Sequence, residues 1–258
     1  LQNILDILPL ETGGILSLTG AGGKTSLMFL LADILTGEGK RVLTTTTTKI
    51  FSPPPSQSKT VIISDSINEL LIQAETLVQE QKHITAAAAR IHEGDKLKGF
   101  SPEQIDTIHK AGIFDWIIVE ADGAAQKPLK APADHEPVIP ENTAIWVGVM
   151  GLDVLGKPLT EAHVFRSELI SQRIGLPLGE RILEHHVAGL LVNPQGYLKG
   201  VPPKAYHCIF LNKADTPKGI DCGRKIVDYI QYTGTGKLNT VIIGQAKEGL
   251  VIHDQFLF

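Results

Sequence analysis

Short apolar runs rich in β-branched residues alternate along this chain with segments whose apolar positions recur at helical spacing. The runs at 14–18, 41–45, 60–64, 116–120, 144–149, 207–211 and 240–243 predict strands. Most lack polar alternation, the pattern of strands covered on both faces in a parallel sheet. Between them, 25–36, 66–80, 101–110, 162–174, 179–191 and 219–232 predict helices. Ser66 with Glu69, and Ser101 with Gln104, fit capping boxes that close the first turn of a helix. Proline and glycine mark loops at 51–58, 123–141 and 192–203. The order implies an α/β fold, a mostly parallel sheet flanked by helices in a three-layer sandwich. It reads as a single domain over 1–258, with room for an inserted subregion at 81–112.

Composition narrows the picture. With 43% hydrophobic and 20% charged residues, a chain of 258 residues can bury a sizeable core. A formal charge of −4 without a long basic run argues against nucleic acid as a partner. No apolar stretch is long enough to cross a bilayer, and residues 1–10 lack the basic start and small-residue cleavage site of a signal peptide. A cytoplasmic protein without membrane contact is therefore expected. Cys208 and Cys222 have no metal-ligand spacing and read as buried or free thiols.

The candidate chemistry sits at the ends of the predicted strands, where open α/β sheets bind their ligands. Gly20-Ala21-Gly22-Gly23-Lys24-Thr25-Ser26 joins the first strand to the first helix. Helix-start N–H groups and the helix dipole make such a turn an anion cradle, here of the P-loop NTPase type. Lys24 would reach the β and γ phosphates of a nucleotide, and Thr25 would hold Mg2+. The usual GxxxxGK(S/T) pattern would begin at position 18, where Leu18 stands, so the first turn is shaped differently. The run 116–120 ends in Glu120, Asp122 and Gly123. Either acid could hold the magnesium with Thr25 or orient a reacting water, and the Gly123 N–H could meet the γ-phosphate.

Asn212-Lys213-Ala214-Asp215 matches the NKxD pattern that reads guanine. Its aspartate accepts from the ring N–H and the exocyclic amine, a pair of donors that adenine does not offer there. After the last predicted strand, Ala246 is placed to give a backbone N–H to guanine O6. Thr46 and Thr47, in the run 44–48, could act as switch hydroxyls, and Lys127, Lys130, Asp134 and His135 make a polar, proline-bounded segment suited to substrate or switching. His163 and Arg166 read as one helix face able to contact an anion, whereas adjacent His185 and His186 face outward rather than forming a metal site. No histidine-rich or cysteine–histidine cluster favours metal delivery.

These residues, and above all the stretch from Lys127 to Pro137, resemble the YqeC family. The resemblance covers nearly the whole chain. It implies a P-loop NTPase, with nucleotide and Mg2+ as ligands, that serves maturation of a selenium-dependent molybdenum hydroxylase or its cofactor. The hydroxylase or its maturation factors would be the protein partner. Three readings follow: a GTP-favouring triphosphatase with Lys24, Glu120 and Asp122 as catalytic groups, a small-molecule or cofactor kinase or nucleotidyltransferase, and a nucleotide-gated binding protein with negligible turnover. A homodimer stays open.

Overall fold

In the computed structural model, which describes residues 3–91, 94–234 and 237–258, the chain lays down β1 (Gly14–Gly20), α1 (Lys24–Gly37), β2 (Val42–Thr46), β3 (Lys49–Phe51), β4 (Val61–Ile63), α2 (Ile67–Glu80), β5 (His83–Ala87), β6 (Ala89–Ile91) and β7 (Lys96–Lys98). There follow α3 (Pro102–Lys110), β8 (Trp116–Glu120), β9 (Thr143–Gly151), α4 (Ser167–Ile174), α5 (Glu184–Val192), β10 (Tyr206–Asn212), α6 (Pro217–Thr233), β11 (Thr240–Ala246) and β12 (Leu250–Leu257). Nine strands form one sheet in the order β12-β11-β10-β9-β1-β8-β2-β5-β4, and β3, β7 and β6 form a second, smaller one. The large sheet is parallel except for β12, which runs antiparallel along β11.

Period-two side-chain alternation splits each central strand between two cores. Leu16 and Leu18 of β1, Val147 and Val149 of β9, and Phe210 of β10 face the layer of α1. Trp146, Ile209 and Ile243 face α4, α5 and α6. Ile117 and Val119 of β8 face α2 and α3. The three-layer sandwich follows from strands that are apolar on both sides. Two indoles flank β1. Trp146 donates through Nε1 to Thr19 Oγ1 at 2.8 Å, and Trp116 donates to the Leu10 carbonyl at 3.1 Å.

The smaller sheet lies on the α1 side, with Ile50 and Leu97 sunk into that core. Residues 81–112 supply β5 to the large sheet, β6 and β7 to the small one, and α3. The Ser101–Gln104 capping box is complete, whereas at Ser66 only half forms: the Ser66 hydroxyl accepts from the Glu69 N–H, and the Glu69 carboxylate accepts from Ser64 Oγ instead of reaching back to the cap. Two helices start later than their spacing predicts. Residues 180 and 182 pair with the 156–159 turn, so α5 begins at Glu184. Glu161 accepts from the Ser167 N–H and hydroxyl and fixes the start of α4 there. The shared helix face expected for His163 and Arg166 is thereby corrected, since Arg166 is left-handed (φ 66°) and His163 sits in a turn against Thr160. The rings of His185 and His186 lie 3.9 Å apart rather than diverging. Both cysteines are free. Among the described residues no helix is long and apolar enough to cross a membrane.

Candidate functional site

The parallel order brings the carboxyl ends of β1, β2, β8 and β10 to one edge, around a cavity of about 840 Å3. Its P-loop end is built by the turn from β1 into α1. The Gly20 N–H donates to Asp122 Oδ2 (2.9 Å), that of Ala21 to the Val149 carbonyl (2.7 Å) and that of Gly22 to the Lys127 carbonyl (2.9 Å). Those three amides hold the loop against its neighbours. The N–H groups of Gly23, Lys24, Thr25 and Ser26 have no partner among the described residues, and these four residues line the cavity together with Gly22. The anion cradle expected over Gly20–Ser26 thus has its open donors at 23–26, while Gly20 and Ala21 stay outside the cavity. Gly22 and Gly23 are required by shape. At φ values of +81° and +124°, an added Cβ would lie 2.3 Å from the Gly151 nitrogen and 2.3 Å from Asn212 Nδ2 respectively.

Lys24 is buried and donates to the Gly20 carbonyl at 2.7 Å. Its ammonium lies 3.1 Å from Asp122 and 3.7 Å from Glu120. Burial pulls the lysine pKa down, but Asp122 and Glu120 outweigh it and hold it above the ordinary range. Glu120 lines the cavity and accepts from the Thr25 hydroxyl at 2.7 Å. Burial pushes its pKa up, against the opposing pull of Lys24 and Thr25. Asp122 does not reach the cavity. One of its oxygens accepts from Gly20, and Lys130 Nζ lies 3.0 Å from that same oxygen. The two acids left open by the sequence therefore occupy different places, Glu120 beside Thr25 and Asp122 beneath the loop.

From Asp122 the charges continue inward. Lys130, 1% exposed, also donates to Glu136 (2.6 Å) and to the Gly123 carbonyl. Glu136 accepts from Arg166, whose guanidinium stacks 4.4 Å from the Phe165 ring centre. Lys24, Asp122, Lys130, Glu136 and Arg166 form an alternating chain in which each buried charge faces an opposite one, the condition for keeping charge out of water. Burial would raise the Glu136 pKa, but Arg166 and Lys130 more than offset it and hold it down to about 2.

Thr25 and Glu120 give a hard cation two oxygen ligands at the cavity floor. Magnesium fits such a pair, because it keeps several waters and takes substrate phosphate oxygens rather than a full protein cage. Among the described residues no cluster of three His, Cys, Asp or Glu side chains offers such a cage.

The remaining expected residues are placed as follows. Thr46 and Thr47 hydroxyls donate to the main-chain carbonyls of Glu120 and Val138. Lys127, His135, Gly123 and Arg166 line the cavity, whereas Asp134 is exposed outside it. Asn212 clamps three segments: Nδ2 donates to the Gly22 carbonyl (2.7 Å), and Oδ1 accepts from the N–H groups of Lys213 (2.8 Å) and Ala246 (2.9 Å). The N–H expected from Ala246 for guanine is bonded to Asn212 here. Lys213 lines the cavity with its ammonium 2.8 Å from Asp153, and Asp215 is exposed beside it without lining the cavity. Sequence reasoning missed Phe51, Lys96 and Lys98 as cavity residues. The only signal was a single apolar residue between two lysines at 96–98, too short to stand out.

A family model described as "YqeC protein" matches residues 16–168. The chain is also 34% identical over 210 residues to the uncharacterized protein YqeC of Escherichia coli (strain K12), covering 81% of this chain and 80% of that one. The chain belongs to the YqeC family. In this YqeC-family chain the matched span holds the glycine loop, the threonine run, Glu120, Asp122 and the 127–137 stretch, and it ends before Asn212. Among solved structures, FtsY from Mycoplasma mycoides is 13% identical with a TM-score of 0.42, over 93% of this chain and 63% of that one. FlhF complexed with GTP/Mg(2+) is 10% identical with a TM-score of 0.37, over 93% of this chain and 70% of that one. The chain thus spans about two thirds of the length of these two structures.

Proposed function

We propose that this YqeC-family protein is a magnesium-dependent nucleoside triphosphatase with its phosphate site at residues 22–26. One observation carries the reading: four N–H groups without a partner among the described residues, the Lys24 ammonium and the Thr25–Glu120 pair converge at one end of a single cavity. The amides bind the phosphate oxygens, and Lys24 turns from Asp122 and the Gly20 carbonyl toward the β and γ positions. Thr25 and Glu120 hold the magnesium, which when bound neutralises charge on the transferring phosphoryl group. Asp122 positions Lys24 and the loop rather than touching the phosphates.

Asn212, Lys213 and Asp215 favour GTP over ATP in this reading. Asp215 stands free of the cavity, open to accept from the two guanine donors. In this reading hydrolysis times a handover to a protein partner during maturation of a selenium-dependent molybdenum hydroxylase.

Calorimetric titration with non-hydrolysable GTP and ATP analogues in magnesium tests this. Binding of the GTP analogue should exceed that of the ATP analogue, weaken by at least about tenfold in Lys24→Ala, and lose its base preference in Asp215→Asn. Binding of neither analogue would overturn the nucleotide reading. A preference for ATP would overturn the base reading alone. Product analysis then separates hydrolysis, which yields nucleoside diphosphate and free phosphate, from transfer, which leaves a modified acceptor.

A further inference from the structure

The cavity does not end at the phosphate site. Its far wall is the small sheet, and the pairing there is unusual. Lys49 stands directly opposite Lys98, and Phe51 opposite Lys96, so all four side chains project from one face. All four line the cavity, while Ile50 and Leu97 on the other face are buried in the core, Ile50 also reaching the cavity wall. Burial of Ile50 and Leu97 therefore fixes which face of the sheet presents the lysines.

Like charges directly opposite on neighbouring strands destabilise a sheet. The other cavity cations are satisfied: Lys24 by Asp122, Arg166 by Glu136, Lys213 by Asp153, and Lys127 by the Ala162 carbonyl. Lys49, Lys96 and Lys98 have no carboxylate within ion-pair distance among the described residues. Lys96 instead stands 5.0 Å above the ring of Phe51, which is 52% exposed. Three lysines without a carboxylate partner, on the wall of one open cavity beside an exposed aromatic plane, match a small ligand with negative groups on a flat ring.

We propose that this wall is a second subsite, for an anionic second substrate of the phosphorylated-heterocycle class, bound at the same time as the nucleotide. Phe51 stacks on the ring, and Lys49, Lys96 and Lys98 hold its phosphate or carboxylate groups. The proposal rests on the nucleotide reading of residues 22–26 and adds what the other end of the cavity accepts. At about 840 Å3 the cavity lies toward the upper end of the roughly 300–1,000 Å3 of ligand pockets, with space beyond a triphosphate.

The test saturates the full chain with a non-hydrolysable GTP analogue and magnesium, then titrates two probes. Riboflavin 5′-phosphate is followed by its own fluorescence, and inorganic pyrophosphate by calorimetry. The saturated protein should bind riboflavin 5′-phosphate with quenching. The Lys49→Gln/Lys98→Gln double variant should weaken this about tenfold, and Phe51→Ala should remove most of the quenching. Both variants alter exposed side chains and should bind the GTP analogue normally. The subsite is overturned if the saturated protein holds neither probe, if the variants bind the probes as the parent does, or if probe and analogue displace each other one for one. Should the analogue itself not bind, the nucleotide reading falls separately, and the variants' effect on probe binding to the nucleotide-free chain decides the wall.

Discussion

Glu136 gives the buried charge chain a measurable signature. Its pKa is held down from the ordinary 4.5 to about 2, so its ionised form contributes stability that is fully present above pH 4.5 and is lost as pH falls toward 2. The pair with Arg166 opens on the cavity, where solvent screens it, so the contribution is about 2 kcal/mol rather than the full value of the shift. Glu136→Gln should therefore lower the urea midpoint at neutral pH, and the gap to the parent should narrow as pH falls below 4.5 and close near pH 2. A gap that stayed constant across that range would mean that Glu136 is not the titrating partner. At this scale the sequence was informative where function needs neighbours in sequence. Lys24 and Thr25 adjoin in one motif, and Glu120 ends an apolar strand, so all three stood out. Glu136 did not, and Lys130 was read as a substrate or switch residue rather than as a buried one, because nothing local distinguishes a lysine that ends 1% exposed from one in water. Only the folding of the 123–141 loop over Asp122 creates that environment.

Among the elements, the small sheet is joined to the large one at Gly99. Its N–H donates to the Thr48 carbonyl, and the next N–H, of Phe100, donates to the Thr46 carbonyl. A Cβ at Gly99 would sit 1.7 Å from the Thr46 carbonyl oxygen, so Gly99→Ala must push β7 away from the end of β2. A loss of about 2–4 kcal/mol in chemical unfolding is expected, with faster proteolysis at β3 and β7. Gly37→Ala, at the end of α1 with no atom within 4 Å, is the control and should be neutral or slightly stabilising. Unchanged stability of the Gly99 variant would show that the seam yields freely. The long buried strands were legible because both their faces are apolar, and β8 falls at 116–120 as its run predicts. The three-residue strands β3 and β7 were not, since each presents one buried side chain, Ile50 or Leu97, and their partner lies nearly fifty residues away. The late starts of α4 and α5 have the same origin: a Glu161 carboxylate and a paired turn, tertiary contacts that periodicity does not encode.

For the whole molecule, the sheet order places β1 between β8 and β9, so the glycine loop emerges at the centre of the sheet edge with loops on both sides of it. The alternation of strands and helices predicted that layering. The order of the strands, and the gathering of residues 49, 96 and 213 around one cavity, required the fold itself. The same arrangement gives the protein a built-in optical gauge. Its only two tryptophans sit on the strands flanking β1, and the indole of Trp146 is bonded to Thr19, the residue immediately before the glycine loop. Trp116 is tied instead to Leu10, before β1 begins. Loading of the loop should therefore change the intrinsic emission of Trp146 and leave Trp116 as a steady reference. The signal should survive in Trp116→Phe and vanish in Trp146→Phe; its persistence in the latter would place the responding indole elsewhere. Occupancy of this site could then be followed in unlabelled protein by the light it emits.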